Sequence, residues 1–250
     1  MDRQKLLYAL AGLALGALAS FLFANAANRR ELDELRSELA RLRPQTPAAA
    51  PQAAQGDGQD GARVRELIAK ADENQSDAAL QRQAGEAAYR HALTTGDSAV
   101  LSDALRLLKR AHAADPKNYD LLLLLGNSHL TLGLAGDPQN FNEARGYYAK
   151  ALEARPDDVN AHTLLGMTYF YGRPSDPESA AREYRKALAS EPRHEMALQN
   201  LASTLIETGA VAEAARRIDE LQRVNPSNPS LPKLREELAA ARASNGKERK

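Results

Sequence analysis

The side chains best suited to chemistry are five histidines, His91, His112, His129, His162 and His194. They stand 21, 17, 33 and 32 residues apart. None shares a helical turn with another, so no metal-ligand spacing is present. Acid pairs such as Asp157-Asp158 and Glu236-Glu237 read as solvated helix ends and faces. No glycine-rich phosphate loop, Ser/His/Asp constellation or paired-carboxylate arrangement stands out, and no cofactor, metal or enzymatic activity is expected. The absence of cysteine excludes disulfides, thiolate metal sites and a thioether-linked lipid anchor. The 33 basic and 33 acidic residues balance, and seven of each precede Ala62, so no part is basic enough to mark a nucleic-acid partner. Tyr147-Tyr148 and Tyr169-Phe170-Tyr171 read first as packing residues.

The elements that would position these residues are set by a repeat. Four times an alanine is followed four residues later by a bulky side chain, and eight residues after that by proline. The sets are Ala104–Leu108–Pro116, Ala144–Tyr148–Pro156, Ala180–Tyr184–Pro192 and Ala214–Ile218–Pro226. The prolines recur at 40, 36 and 34 residues. A fixed pattern on a nearly fixed period marks a solenoid of helix pairs, each unit burying its apolar face on its neighbours. Abundant alanine and leucine with no tryptophan suits helix-on-helix packing.

The first helix of each pair carries its own signature: Leu125-Gly126 with His129, Leu165-Gly166 with Tyr169, and Leu201-Ala202 with Leu205. Together with the second-helix pattern, these units resemble tetratricopeptide repeats. The first unit keeps Ala104, Leu108 and Pro116 but lacks a clear Leu-Gly pair in its first helix, residues 78–95. The expected fold is therefore all-α: a helix-pair solenoid of three clear repeats and one degenerate repeat, behind a single transmembrane helix. Gly126 and Gly166 would clear space where paired helices cross, and Tyr148, Tyr184 and Ile218 would fill the space between neighbouring repeats. His129 and His162, on equivalent helices of adjacent units, could approach each other. Gly96, Gly133, Gly172 and Gly209 fall near the turns within pairs. Two insertions lie in such turns, near residues 134–142 and 173–177. There Asp137-Pro138 and Asp176-Pro177 read as starts of second helices.

In the tetratricopeptide family one face of each first helix lines the concave surface. Carried onto this chain, that face reads Leu123, Asn127 and Leu130, then Thr163, Met167 and Phe170, then Gln199, Ser203 and Ile206. Each trio follows i, i+4, i+7 spacing and shares a helical stripe. The resemblance implies a partner polypeptide in this groove. Some family members clamp a terminal carboxylate there with lysines and asparagines. Asn127 fits that arrangement, but Leu123, Thr163 and Gln199 stand where lysine would help, so an apolar or amphipathic helix fits better.

Ahead of the repeats the composition changes several times. Residues 6–23 carry no charge, and Ala24–Ala27 extend the run to a length that matches a hydrocarbon layer about 30 Å thick. Residues 1–28 read as a transmembrane anchor, with a signal peptide cut after Ala24-Asn25-Ala26 as the competing reading. The Lys and Arg that flank the span favour a cytoplasmic domain by simple count, whereas the resemblance of the layout to anchored repeat proteins implies an extracytoplasmic one. Gly12, Gly16 and Ser20 share one helical face, the geometry of close transmembrane pairing. Leu32, Leu35, Leu39 and Leu42 form a two-heptad seam within a coiled-coil-like segment, residues 29–43. Both features point to a homodimer. Residues 44–61, rich in Pro, Ala, Gln and Gly, read as a linker, 62–77 as a leading helix, 78–243 as the solenoid with a carboxyl-terminal capping helix, and 244–250 as a flexible tail.

These features describe a single-pass adaptor of a bacterial-type plasma membrane that holds a protein partner and assists complex assembly. The layout resembles anchored repeat proteins that present apoproteins during c-type cytochrome maturation. The alternative is a homo-oligomeric scaffold acting through the transmembrane face and leucine seam.

Overall fold

The structure, a computed structural model, describes residues 57–248. The expected anchor, the pairing face at Gly12, Gly16 and Ser20, and the seam at Leu32, Leu35, Leu39 and Leu42 lie outside the described residues. Among the described residues there are ten α-helices and no strand. None of these helices is long and apolar enough to cross a membrane.

The helices are α1 (Asp57–Glu73), α2 (Ala78–Thr95), α3 (Ser98–Ala114), α4 (Tyr119–Leu134), α5 (Asn140–Ala154), α6 (Val159–Tyr171), α7 (Pro177–Ser190), α8 (Glu195–Glu207), α9 (Val211–Val224) and α10 (Leu231–Glu248). Each packs on its sequence neighbours, and α2, α4, α6, α8 and α10 also meet one another in succession. The core therefore runs along the stack instead of gathering at one centre. Leu107, Leu108, Leu125, Tyr148, Tyr184, Leu201 and Ile218 are among its largest wholly enclosed members.

Why the pairs close as they do is visible at three crossings. A Cβ added to Gly126 would lie 2.6 Å from Tyr148 Cε1, and one added to Gly166 would lie 2.5 Å from Tyr184 Cε1. At Gly85 it would lie 2.7 Å from Leu108 Cγ. The second-helix side chain thus sits in the space the glycine leaves empty. A mid-helix glycine costs about 1 kcal/mol relative to alanine. Enclosing a large apolar side chain contributes roughly 1.5–3 kcal/mol, so the packing term wins. In the fourth unit buried Ala202 and Ile218 take the equivalent places, a smaller gap for a slimmer residue.

Two expectations are refined here. Tyr148 and Tyr184 fill space inside their own pair as well, against Gly126 and Gly166. The first unit is not degenerate at its crossing. Its pair is Ala84-Gly85, with Ala84 wholly buried, so the glycine performs the packing and the preceding leucine is dispensable.

The turn between units recurs five times. In each, the backbone N–H of the last turn residue donates to the carbonyl three residues earlier: Asp77 to Asn74, Asn118 to Asp115, Asp158 to Arg155, His194 to Glu191, and Asn228 to Asn225, at 3.1–3.2 Å. Three of these turn residues also cap the helix that follows. Asp77 accepts from the Leu80 N–H, Asn118 from the Leu121 N–H and Asp158 from the Ala161 N–H. Because α1 ends in this same turn, it is the second helix of a half-unit, with Ala71 wholly buried at its end. It begins at Asp57 and ends at Glu73, displaced from the expected 62–77, so the last residues of the expected linker are helical. Asp72 ties it to the first full pair through Arg106 and Arg110. At the other end α10 buries Leu231, Leu234 and Leu238 as the expected cap, and its helix continues through Glu248 into the expected tail.

Turns within pairs are less uniform. Gly96 and Gly209 adopt φ of 73° and 75°, the left-handed geometry expected of them. Gly133 instead lies within α4 beneath Phe141, and Gly172 has a φ of −63°. Asp176 caps α7 through the Ser179 N–H, with Pro177 in the first turn, as its sequence suggests. Asp137-Pro138 does not start α5. That helix begins at Asn140, whose side chain donates to Asp137 Oδ2 at 2.8 Å.

Substituting Gly126→Ala or Gly166→Ala is expected to lower stability by about 1–3 kcal/mol through overpacking. Gly146→Ala, at a helical site with nothing within 4 Å, should raise it by up to about 1 kcal/mol. Urea unfolding midpoints of the three variants test this ordering.

Candidate functional site

The stripe anticipated on the first helices divides by burial. Leu130, Thr163 and Met167 are 0% exposed. They belong to the packing between helices and drop out of any contact surface, which corrects three of the nine positions. Thr163 is further occupied, its hydroxyl donating to the Val159 carbonyl at 2.7 Å. The reason is geometric: an i, i+4, i+7 stripe spans about one face, and in a stack where successive first helices touch, part of that face is covered by the next helix.

Leu123, Asn127, Phe170, Gln199, Ser203 and Ile206 remain half-buried. Two of their polar groups are already engaged within the chain. Asn127 Oδ1 accepts from the Tyr148 hydroxyl at 2.8 Å, and Gln199 Oε1 accepts from Asn228 Nδ2 at 3.3 Å. Phe170 meets Tyr171 edge to face, with ring centroids 5.0 Å apart. The face that survives is apolar at Leu123, Phe170 and Ile206, with amides and a hydroxyl between them.

Sequence reasoning missed several polar ties along the starts of the first helices. Tyr119 donates to Asp158 Oδ2 at 2.5 Å while Arg155 lies 3.7 Å over its ring. Burial first, and the Asp158 hydrogen bond second, raise the Tyr119 phenol well above its usual value. Asn225 and Asn228 both donate to Glu195 Oε1, at 2.7 and 2.6 Å. Arg82 reaches Asp120 at 3.6 Å from α2 to α4. A signal for part of this was present: an Asn or Asp stands two residues after Pro116, Pro156 and Pro226.

The histidines do not assemble. His129 Nδ1 pairs with Asn140 at 2.7 Å, and His162 lies between Glu183 and the Pro156 carbonyl. Tyr147 stacks on His129 and meets His112 edge-on, at centroid distances of 5.5 and 5.8 Å. Among the described residues no group of three or more His, Cys, Asp or Glu could hold a metal ion.

Residues 174–238 match the model of the tetratricopeptide repeat family. The helices of that span are those of tetratricopeptide repeats. Solved structures share the architecture at low identity. MamA of Desulfovibrio magneticus RS-1, from its residue 41 onward, aligns with a TM-score of 0.56 and 17% identity over 81% of this chain and 98% of that one. A thermophilic tetratricopeptide-repeat protein of Thermus thermophilus aligns with a TM-score of 0.51 and 19% identity, over 85% and 97%. At these identities the likeness is one of fold. A curated relative, the type IV pilus assembly protein PilF of Pseudomonas aeruginosa, is 34% identical over 101 residues, 40% of this chain. The match spans 37% of that protein's length.

Equivalent tyrosines of the second and third repeats differ in one respect. The Tyr148 hydroxyl is bonded to Asn127, whereas the Tyr184 hydroxyl is buried without a partner among the described residues, and Met167 stands where Asn127 stands one repeat earlier. Tyr148→Phe should therefore destabilise by about 1 kcal/mol, and Tyr184→Phe should be neutral or stabilising by a similar amount. Thermal unfolding of the two variants separates these outcomes.

Proposed function

We propose that the chain is a membrane-anchored tetratricopeptide-repeat adaptor that holds a partner polypeptide against its first-helix face and assists assembly of a larger complex. One observation carries the reading: each of the last three repeats leaves one large apolar side chain half-buried on that face, Leu123, Phe170 and Ile206. Repeat solenoids use such extended surfaces to bind polypeptides. Polar neighbours on the face are engaged in internal hydrogen bonds, which favours an amphipathic helix over a carboxylate-ended tail as the occupant. No catalysed step is part of this reading.

The membrane placement rests on the uncharged run at residues 6–23 and its extension to Ala27. A single-pass anchor in a bacterial-type plasma membrane, with the repeats on its outer side, is the arrangement we favour. An assembly task is supported by the relative named for type IV pilus assembly. That support is more direct than the resemblance of layout to proteins of c-type cytochrome maturation. The seam at Leu32, Leu35, Leu39 and Leu42 would then pair two adaptors and is secondary to the groove.

A photoreactive residue placed at Phe170 or Ile206 of the full-length chain should crosslink one protein of defined mass. Leu123→Glu should weaken that adduct by roughly tenfold, while the same probe at Lys150, exposed on α5, should yield none. Leu35→Lys with Leu39→Lys should leave the adduct unchanged. Equal labelling from Lys150, or an adduct only of a second copy that Leu35→Lys and Leu39→Lys abolish, would overturn the groove reading in favour of the self-assembling scaffold.

A further inference from the structure

Among the described residues, His162 is the one histidine whose two ring nitrogens both face hydrogen-bond acceptors. Nδ1 lies 2.6 Å from Glu183 Oε2, and Nε2 lies 2.7 Å from the Pro156 carbonyl oxygen. The residue is 6% exposed, so water does not compete freely for either contact. A neutral imidazole carries a single N–H and satisfies only one of two acceptors. The imidazolium satisfies both. These contacts join three pieces of the solenoid: the turn that closes the second repeat (Pro156), the first helix of the third (α6) and its second helix (α7).

We propose that His162 is a proton-operated clamp. In its charged form it locks the Pro156 turn, α6 and α7 together, and on losing its proton it gives up one of these ties and loosens the third repeat. Because α6 also presents Phe170, the clamp would regulate the binding face; that consequence rests on the adaptor reading, whereas the clamp itself does not.

The surrounding charges agree with the geometry. The hydrogen bond to Glu183 raises the His162 value above the ordinary one near 6.5, burial works against it, and the Pro156 carbonyl adds to the rise. Lys186, also on α7, opposes the charge. Burial would raise Glu183, yet hydrogen bonds from His162 and from Lys186 Nζ, the latter at 2.8 Å, hold it below 4.5. Since the folded value of His162 is raised, its stabilisation is complete below about pH 6.5 and is lost as pH rises through that folded value. Glu183, held low, contributes above about pH 4.5 and loses its contribution as pH falls through its folded value. The clamp is therefore firmest between about pH 4.5 and 6.5.

His112, His129 and His194 have the opposite sign. Burial lowers all three, aided by Lys150 at His112 and by Lys109 at His129, and opposed at His194 by Glu191, Glu195 and Asp158. Their contribution is lost as pH falls below about 6.5. A pH profile of the native chain alone would mix the two effects, so the test must isolate His162.

The full-length chain and its His162→Gln variant would be unfolded in urea from pH 5.5 to 9, and the wild-type imidazoles followed by nitrogen NMR. The advantage of wild type over the variant should be greatest at the acid end and shrink toward pH 9. The folding constant should change about tenfold for each unit by which the folded value exceeds the unfolded one. The His162 ring should read as imidazolium at pH 6. An advantage independent of pH, or a neutral tautomer at pH 6, would overturn the clamp. Should His162→Gln fail to fold, Glu183→Gln keeps the shape of the pair and removes its charge. It should lower the pH at which the His162 resonance titrates, and an unmoved titration would equally refute the proposal. Photocrosslinking from Phe170 across the same range reads the regulatory consequence separately. It should decline as the clamp opens, and a constant yield alongside a titrating clamp would remove the regulatory role alone.

Discussion

A bulky side chain on one helix occupies the place of a missing side chain on its partner, and the rest of the solenoid is arranged around that contact. At Gly85–Leu108, Gly126–Tyr148 and Gly166–Tyr184 the fit is so close that any Cβ on the first helix would overlap the second. Interiors are packed to near-crystalline density, so such a contact specifies both the register of the pair and the distance between its helices. Each pair then presents a fixed surface to the next, and the inter-unit turn repeats with the same backbone hydrogen bond five times. The array is quasi-one-dimensional because every one of these determinants is local to a unit or its neighbour.

That locality explains where the chain tolerates irregularity. The turns within pairs vary freely: a left-handed glycine at Gly96 and Gly209, a longer excursion before Asn140, an Asp-Pro cap at Asp176-Pro177. Extra residues there leave the crossing untouched, and loop length adds little entropy cost. The turns between pairs are invariant by comparison, because they set how one unit stacks on the next. Side chains reinforce them, with Tyr119, Arg155 and Asp158 at one junction and Glu195, Asn225 and Asn228 at another. The half-units at the ends follow from the same rule. The stack must be closed by a helix with one buried and one solvated face, and α1 and α10 supply it.

The repeat, the helix pairing and the close approach at Gly126 and Gly166 are legible in the sequence because they depend on residue type at short, fixed spacing. The first repeat looks degenerate only while the Leu-Gly signature is weighted on its leucine. The physics lies in the glycine, which Gly85 supplies. The candidate contact stripe is legible in part only. Spacing assigns Leu130, Thr163 and Met167 to the correct helical face, yet whether that face is open depends on how far the next first helix leans over it. Spacing on a single helix carries no information about that lean. Long-range ties such as Asp72 to Arg106 and His162 to Glu183 are invisible for the same reason, since nothing local marks either partner.

What the burial leaves exposed also bears on the kind of partner the proposed adaptor would take. Asn127 and Gln199 could have offered amides to a peptide backbone, but each carbonyl oxygen is held by another side chain of the solenoid. Recruiting one for a ligand would break an internal hydrogen bond and take a partner from the buried Tyr148 hydroxyl or from the amide of Asn228. Beside them the face carries half-buried apolar side chains, Leu123, Phe170 and Ile206, one on each successive repeat. Apolar contacts spaced along a stack select for a matching series of apolar side chains and are indifferent to the detail of charge. On the proposed adaptor reading, recognition would rest on shape and spacing over several repeats, and so on how successive repeats stack.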